Sequence, residues 1–319
     1  MPPLYPEYEV VVTARTLVAD EVAMLDFADA RGNPLPGWLP GAHLDLLLPG
    51  GEERQYSLCG DPADRRSWRI AVLRDARGRG GSTWLHDSLA VGDRLRVRGP
   101  QNHFAFAPTA GRTYLFLAGG IGITPLLPML RAADAAGADF TLVYAGRSRS
   151  SMAFGEALAA EYPEHVHLHP SDEGARIDLE QLLASTPEGT QVYCCGPTRL
   201  LDAVEEVMAD RLRDLHVERF EARALTAPVL DEPFEVELAM TGVTITVPPE
   251  RSILEVAEEA GALVVSSCKE GTCGTCETPI LSGAADHRDS ILTPDEQEEN
   301  RMMYICVSRA ACPRLVLEL

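Results

Sequence analysis

Five of the eight cysteines crowd the last fifth of the chain: Cys268, Cys273, Cys276, Cys306 and Cys312. Within SSCKEGTCGTCETPIL the spacing is Cys268-x4-Cys273-x2-Cys276, and 29 residues separate Cys276 from Cys306. This is the plant-type spacing for a [2Fe–2S] cluster. Two irons need four thiolates, and three from one tight loop plus one from a distant strand can wrap a small cluster. Gly271, Thr272, Gly274 and Thr275 lie between the ligands. Such small residues let backbone N–H groups approach the sulfurs and help set the reduction potential. Structural zinc also takes four cysteines, but it usually draws them from two short knuckles. Cys312 reads as a spare thiol.

Two further motifs suit anionic ligands. LAGGIGITPLLPML puts Gly119, Gly120 and Gly122 after an apolar strand and before a helix opening near Thr124-Pro125. It is not the GxGxxG fingerprint, but glycines let backbone come close to a pyrophosphate and a helix start attracts negative charge. Cys194-Cys195-Gly196-Pro197 also ends a strand, and in an open parallel sheet ligands sit beyond the strands' carboxyl ends. In RQYSLCG, period 2 sends Arg54 and Tyr56 to one strand face and Ser57 to the other. With the glycine-rich turn Gly78–Thr83 downstream, these residues suit a flavin ring and one phosphate. A charged surface strand would look the same, and ten arginines fall between Arg54 and Arg98.

The elements that must hold these groups fall into three units. Residues 8–107 read as short alternating strands (Tyr8–Thr13, His43–Leu48, Arg54–Leu58, Trp68–Val72, Arg94–Arg98) broken by Gly and Pro, which predicts a β-barrel or sandwich. Residues 111–220 alternate strand and helix, with helices at Thr124–Ala136, at MAFGEALAAEY, at DLEQLLAS and over TRLLDAVEEVMADRLR, which predicts a parallel sheet. ALTAPVLDEP at 224–233 reads as a linker. From Phe234 to Leu319 a hairpin (FEVELA, VTITVP) and a helix (SILEVAEEAG) precede the cysteine loop. There is no internal repeat.

Composition narrows the function classes. The chain has 319 residues, 45% of them hydrophobic and 24% charged, with a net charge of −20, which argues against a nucleic-acid binder. Lys269 is the only lysine. From Pro228 to Leu319 there are 17 acidic and six basic residues, so −11 of the total falls there. The run Asp295-Glu296-Gln297-Glu298-Glu299 just precedes Cys306. An acidic face near the cluster would steer a basic acceptor, whereas acids after Thr293-Pro294 also suit a helix start. The opening MPPLYPEYEV lacks a basic n-region and an apolar core, and the most apolar stretch is broken by Gly and Pro. The expectation is a cytoplasmic protein without a membrane span.

Taken in order, RQYSLCGDP, AVLRDARGRGGSTWLHD, LAGGIGITPLLPML, VYCCGP, SSCKEGTCGTC, ADHRDSIL and YICVSRA make the chain resemble the phthalate dioxygenase reductase family over nearly its whole length. Vanillate demethylase reductases and the reductase modules of some self-sufficient cytochromes P450 belong to the same group. The resemblance implies a multidomain chain: an FMN-binding antiparallel β-barrel (1–107), an α/β parallel-sheet NAD(P)-binding domain of the ferredoxin-reductase type (108–223), the linker, and an α+β plant-type ferredoxin domain (234–319). It implies flavin contacts at Arg54, Tyr56, Ser57, Ala71, Val72, Leu73, Gly81, Ser82, Thr83, Thr124 and Phe220. Nucleotide contacts fall at Gly120, Tyr144 to Arg147, Cys195, Gly196 and Pro197, and cluster ligands at Cys268, Cys273, Cys276 and Cys306. Leu73 stands where relatives usually carry a basic residue. Arg147-Ser148-Arg149-Ser150 lacks an acid beside its first arginine, so NADPH stays open beside NADH. A flavin would take a hydride's two electrons and release them singly to the cluster, with the nicotinamide stacked near Thr124, Cys195 and Phe220. The expected function is an NAD(P)H-dependent reductase serving a terminal oxygenase, either a Rieske oxygenase or a cytochrome P450. A zinc-binding module without catalysis and an FAD reductase acting on a small acceptor are the alternatives.

Overall fold

The computed structural model describes residues 6–174 and 177–319. The part of the opening segment at 1–5, read above for a leader, lies outside them. The chain divides into two compact units, one ending at Glu218 and the other spanning Arg219–Leu319.

The first unit opens with β1 (Glu7–Ala19), β2 (Val22–Asp29), β3 (Ala42–Leu47), β4 (Glu53–Ser57), β5 (Trp68–Leu73), a short helix α1 (Gly81–Asp87) and β6 (Arg94–Asn102). The strands form one antiparallel sheet in the order β4-β3-β6-β1-β2-β5. An antiparallel bridge between Leu58 and Ile70 joins its two edges, and the Cys59 N–H donates to the Arg69 carbonyl at 2.9 Å. The sheet thus rolls toward a barrel and leaves few unpaired edge groups. Inward residues such as Val10, Leu25, Phe27, Leu44, Leu46, Trp68, Ile70 and Val97 fill it.

Next come β7 (Thr113–Gly119), α2 (Ile123–Ala135), β8 (Asp139–Gly146), α3 (Gly155–Glu161), β9 (Val166–Pro170), α4 (Leu179–Ala184), β10 (Gln191–Cys195), α5 (Thr198–Val207) and β11 (Leu215–Glu218). Their sheet is parallel, in the order β11-β10-β7-β8-β9. Period-2 alternation splits the packing cleanly. Tyr114, Phe116, Ala118, Phe140, Leu142 and Tyr144 pack with α2 and Leu158 of α3, while Leu115, Leu117 and Val143 face Leu183 of α4 and Leu201 and Val204 of α5. The run TRLLDAVEEVMADRLR is not one helix: α5 stops at Val207 and residues 209–214 tighten into a 3-10 turn with Arg211 out of helical conformation. Phe106, leaving the barrel, sets its ring edge-on to Tyr193 (5.0 Å, 89°) and Tyr114 (5.0 Å, 74°). Such pairs contribute about 0.5–1.5 kcal/mol each beyond burial and tie the two sheets into one unit.

The second unit contains β12 (Phe234–Leu238), β13 (Val243–Val247), α6 (Ile253–Glu259), β14 (Glu277–Ser282), β15 (Ala285–Asp286), α7 (Pro294–Glu299), β16 (Met302–Tyr304), β17 (Arg309–Ala310) and β18 (Arg314–Leu317). The expected hairpin is β12–β13, within a sheet ordered β13-β12-β18-β14-β16. Ser252 caps α6 and Thr293 caps α7, each in a reciprocal box with the glutamate three residues on. Residues 224–233 carry no helix or strand; the Val229 N–H is held by Asp286 Oδ2 at 3.1 Å. Among the described residues no helix is long and apolar enough to cross a membrane.

Candidate functional site

In the first unit the site lies where the parallel sheet reverses its order. From β7 the chain winds outward to β8 and β9, then β10 is laid on β7's other edge. The loops after β7 and β10 diverge at that point, the usual place for a ligand in such sheets. Here they first close on each other backbone to backbone. A Cβ on Gly122 would stand 2.2 Å from the Cys195 carbonyl oxygen, one on Gly119 2.5 Å from Pro197 Cδ, and one on Gly196 2.9 Å from Gly119 Cα. Those three glycines are required by close packing of the two loops. Gly120 differs: its φ is +54° and nothing lies within 4 Å of its missing Cβ, so its backbone faces open space. Tyr144 supports it by donating to the Gly120 carbonyl at 3.0 Å.

The barrel side is built from β4, β5 and α1. Arg54 donates to the Glu53 carbonyl (2.8 Å), Glu52 Oε2 (3.0 Å) and the Arg79 carbonyl (3.1 Å). Its side chain lies where a Gly81 Cβ would be, 2.7 Å from Arg54 Cγ and Nε, so Gly81 is the residue that admits the arginine. Gly80 has φ +87° beside open space, and no side chain caps α1. The Ser82 hydroxyl accepts from the Asp75 N–H at 3.0 Å and Thr83 donates to the Asp75 carbonyl at 3.4 Å. Burial pushes the Tyr56 phenol up to about 12. Ala71 and Val72 are buried and Leu73 is exposed; the Val72 carbonyl is taken by His86 Nε2 at 2.8 Å. The Thr124 hydroxyl donates to the Ile121 carbonyl at 2.9 Å. Arg147 is exposed just past β8. Phe220 falls in the second unit, with its ring exposed.

One residue that the motifs did not single out ties the strand ends together. Glu218, the last residue of β11, pairs in parallel register with Cys195. The Cys195 thiol donates to Glu218 Oε2 at 3.8 Å, and Ser57 hydrogen-bonds the same carboxyl. Burial pushes Glu218 up to about 8, and burial beside that carboxyl raises Cys195 as well. Both groups keep their protons at neutral pH. Because the folded-state pKa exceeds the unfolded one, the folded state binds the extra proton between about pH 4.5 and 8, and stability from this group declines as pH rises through that window. Glu218→Gln is therefore expected to flatten the fall in melting temperature between pH 5 and 8. A melting-temperature-versus-pH curve parallel to the wild type would show that Glu218 does not titrate there.

In the second unit the four cysteines converge. Cys268 makes thiol contacts with Cys273 and Cys306, and Cys276 with Cys306. These contacts pull Cys268 and Cys276 toward thiolate and hold the proton on Cys273 and Cys306. Donors already point at sulfur: Glu270 N–H to Cys268 (3.3 Å), Cys268 N–H to Cys273 (3.5 Å) and the Thr275 hydroxyl to Cys273 (3.1 Å). The contacts run Cys273–Cys268–Cys306–Cys276, so the four thiols form one group. A donor set of four soft thiols with N–H groups on the sulfurs fits an iron–sulfur cluster. Cys312 stays apart, its sulfur between the Ala284 N–H (3.2 Å) and the Arg314 carbonyl (3.1 Å).

Asp289, from the ADHRDSIL motif, lies against this loop. It is buried and accepts the N–H groups of Ile291 (3.0 Å) and Leu292 (2.8 Å), and the Ser308 hydroxyl reaches it at 3.4 Å. Gly271 (φ +72°) presses against it and Val307; a Cβ there would lie 2.5 Å from Val307 Cγ2 and 3.1 Å from Asp289 Cα. The cysteine loop meets this turn through backbone, the Ser290 N–H donating to the Gly271 carbonyl at 2.9 Å.

An antiparallel barrel packed on a parallel nucleotide-type sheet, followed by a plant-type cysteine loop, defines an oxidoreductase with an attached ferredoxin. Residues 236–311 match the family model of the 2Fe-2S iron-sulfur cluster binding domain, and residues 96–212 match that of the dimethylamine monooxygenase subunit DmmA-like N-terminal domain. The chain is 42% identical to the phenoxybenzoate dioxygenase subunit beta of Ectopseudomonas oleovorans, covering 94% of each chain. It is 38% identical to the phthalate dioxygenase reductase of Burkholderia cepacia, covering 97% of this chain and 96% of that one. A solved structure of an intact type IV self-sufficient cytochrome P450 monooxygenase superposes with a TM-score of 0.92 at 45% identity over 98% of this chain, which spans 41% of that protein's length. The chain belongs to the phthalate dioxygenase reductase family of oxygenase reductases.

Proposed function

We propose that this chain passes electrons from a reduced pyridine nucleotide, through FMN held on the barrel, to a [2Fe–2S] cluster and on to a terminal oxygenase. The observation that carries the reading is the joining, in one polypeptide, of four thiols in successive contact at plant-type spacing with a barrel and a parallel sheet whose strand order reverses at β7. When bound, the flavin supplies the conversion of a hydride's two electrons into single-electron transfers.

The residues present fit that group. Arg54 is fixed by three acceptors beside the uncapped start of α1 and the open ground at Gly80, which suits one phosphate. Tyr56 stays neutral and offers a flat face. Ala71, Val72 and Leu73 line the neighbouring strand, where the Val72 carbonyl is already spent on His86. Ser82 and Thr83 close the α1 turn on Asp75. Thr124, buried at the start of α2 with its hydroxyl given to the Ile121 carbonyl, backs the barrel side of the site. Gly120, Gly196 and Pro197 shape the nucleotide cleft and Arg147 stands at its outer rim. Ser57, Cys195 and Glu218 hold protons at the inner end without carrying charge. Cys268, Cys273, Cys276 and Cys306 hold the cluster. NAD(P)H and eight reduced thiols suit work in the cytoplasm.

The purified protein should release FMN and contain two irons per chain, and its flavin and cluster bands should bleach on titration with NADH or NADPH. A colourless protein, or released FAD, would overturn the reading. We place the acceptor's docking face on the acidic ferredoxin unit. Asp295, Glu296, Glu298 and Glu299 are all exposed on α7, Glu296 also closing the capping box and Glu299 pairing with Arg301 at 3.4 Å. Reduction of a basic oxygenase partner should slow as salt rises, while reduction of a neutral quinone dye should not. Equal salt dependence for both would remove the docking assignment.

A further inference from the structure

The open choice between NADH and NADPH turns on the rim of the cleft beyond β8 and β9. Arg147 and Arg149 stand there, and two arginines beside an adenosine ribose would ordinarily welcome a 2′-phosphate. Arg149 is already engaged by carboxylates. Its Nε donates to both carboxylate oxygens of Glu173, at 2.8 and 3.0 Å, and its Nη1 donates to Glu156 Oε1 at 3.0 Å. Two carboxylates from two different elements, one after β9 and one on α3, converge on a single guanidinium.

The loop that carries Arg149 is also pinned. Ser148 and Ser151 close a reciprocal box around the 3-10 turn 149–151. The Asp20 N–H donates to the Ser150 carbonyl at 2.8 Å, and the Ser150 hydroxyl donates back to the Asp20 carboxylate. On the other side Asp172 N–H and the Ser171 hydroxyl hold the Arg147 carbonyl at 3.1 and 3.2 Å. Within this rim the formal charges are two arginines against Asp20, Glu156, Asp172 and Glu173. His169, at the end of β9, is held neutral by burial and adds no positive charge.

We propose that Glu156 and Glu173 act as a charge filter: by occupying Arg149 and surrounding it with negative charge, they make this reductase select NADH over NADPH. The inference deepens the functional reading above and rests on it, since it requires the nucleotide to lie in this cleft. A ribose 2′-hydroxyl can hydrogen-bond a carboxylate, whereas a 2′-phosphate dianion must either displace Glu156 or Glu173 from Arg149 or sit against both. Even in a water-like dielectric, a dianion within about 6 Å of one carboxylate loses about tenfold in affinity, and salt weakens that penalty.

The experiment uses the intact holoprotein. Calorimetric titration compares AMP with adenosine 2′,5′-bisphosphate, and steady-state kinetics compare kcat/KM for NADH and NADPH, in the wild type, Glu173→Gln, Glu156→Gln, the double variant, and the double variant carrying Arg149→Ala. The wild type should favour NADH, and AMP over the bisphosphate, by about tenfold or more. The double variant should shift both ratios toward the phosphorylated ligand by up to about a hundredfold, with each single variant between, and Arg149→Ala should cancel the gain. Raising salt should narrow the wild-type preference. A wild type that already prefers NADPH, or ratios unmoved in the double variant, would overturn the filter while leaving the nucleotide cleft standing. If neither AMP nor the bisphosphate binds and neither dinucleotide reduces the protein, the cleft assignment falls and the filter with it.

Discussion

Cys306→Ser is expected to strip the protein of its iron–sulfur band and to reduce electron delivery to an oxygenase partner to background. Cys306 contacts both Cys268 and Cys276, so it is the thiol that links the loop cysteines to the distant strand. It sits in a buried run with Ile305, Val307 and Ser308, so no neighbouring side chain can swing in to replace it. Serine keeps the shape but supplies an oxygen that is far harder to deprotonate than a thiol and poorly matched to iron–sulfur chemistry. Ligand binding in such small domains is coupled to folding, so the second unit should also melt earlier. The first unit has its own three hydrophobic clusters, and NADH-driven reduction of a small two-electron dye should survive. Cys312→Ser is the control: that sulfur accepts the Ala284 N–H and lies within donating reach of the Ala284 and Arg314 carbonyls, away from the other four, so the substitution should cost about 1 kcal/mol or less and leave the iron content intact. Full iron content and an unaltered spectrum in Cys306→Ser would mean that the ligand set is wrong.

That prediction could be drawn from the sequence because ligand chemistry is a local constraint: four thiols at a fixed spacing have few uses. The strand-helix alternation of the nucleotide domain was legible for a similar reason, since period 2 and period 3.6 differ within a few residues. What failed to show was set by tertiary context. β2 lies between β1 and β5 with both faces largely buried, and VAMLDFAD lacks clean alternation. α1 is seven residues long and follows a glycine run, too short for a helical period to show. Glu218 becomes interesting only when parallel pairing sets it beside Cys195 and the barrel brings Ser57 to it. Asp289 stands out only once the fold sets Gly271 and Ser308 beside the turn that it closes on Ile291 and Leu292. In the sequence Arg149 looks like an obvious phosphate ligand. Only the fold reveals that Glu156 and Glu173 have taken it.

Gly122→Ala should damage the first unit more than Gly120→Ala, although sequence reasoning alone would rank them the other way. Gly120 has positive φ, where a side chain carries a conformational cost of about 1–2 kcal/mol, but it has empty space around it. Gly122 has an ordinary right-handed helical conformation, so alanine there meets no dihedral objection. Its added carbon would instead stand 2.2 Å from the Cys195 carbonyl oxygen, 2.4 Å from that carbonyl carbon and 2.6 Å from the Gly196 nitrogen. These are backbone atoms of a buried strand end and cannot rotate aside. Relief requires the loops after β7 and β10 to separate, at the top of or beyond the usual overpacking range of about 1–3 kcal/mol. Separation by even 1 Å misplaces Cys195, Gly196 and the α2 N-terminus together, and misplacement of that size costs about a hundredfold in rate. Gly122→Ala should therefore lower the melting temperature of the first unit and reduce kcat/KM for the nucleotide about a hundredfold, with the cluster spectrum of the second unit retained. Gly120→Ala should show a smaller loss of stability. If Gly122→Ala behaved as wild type, the contact between the two loops would not be what fixes the cleft.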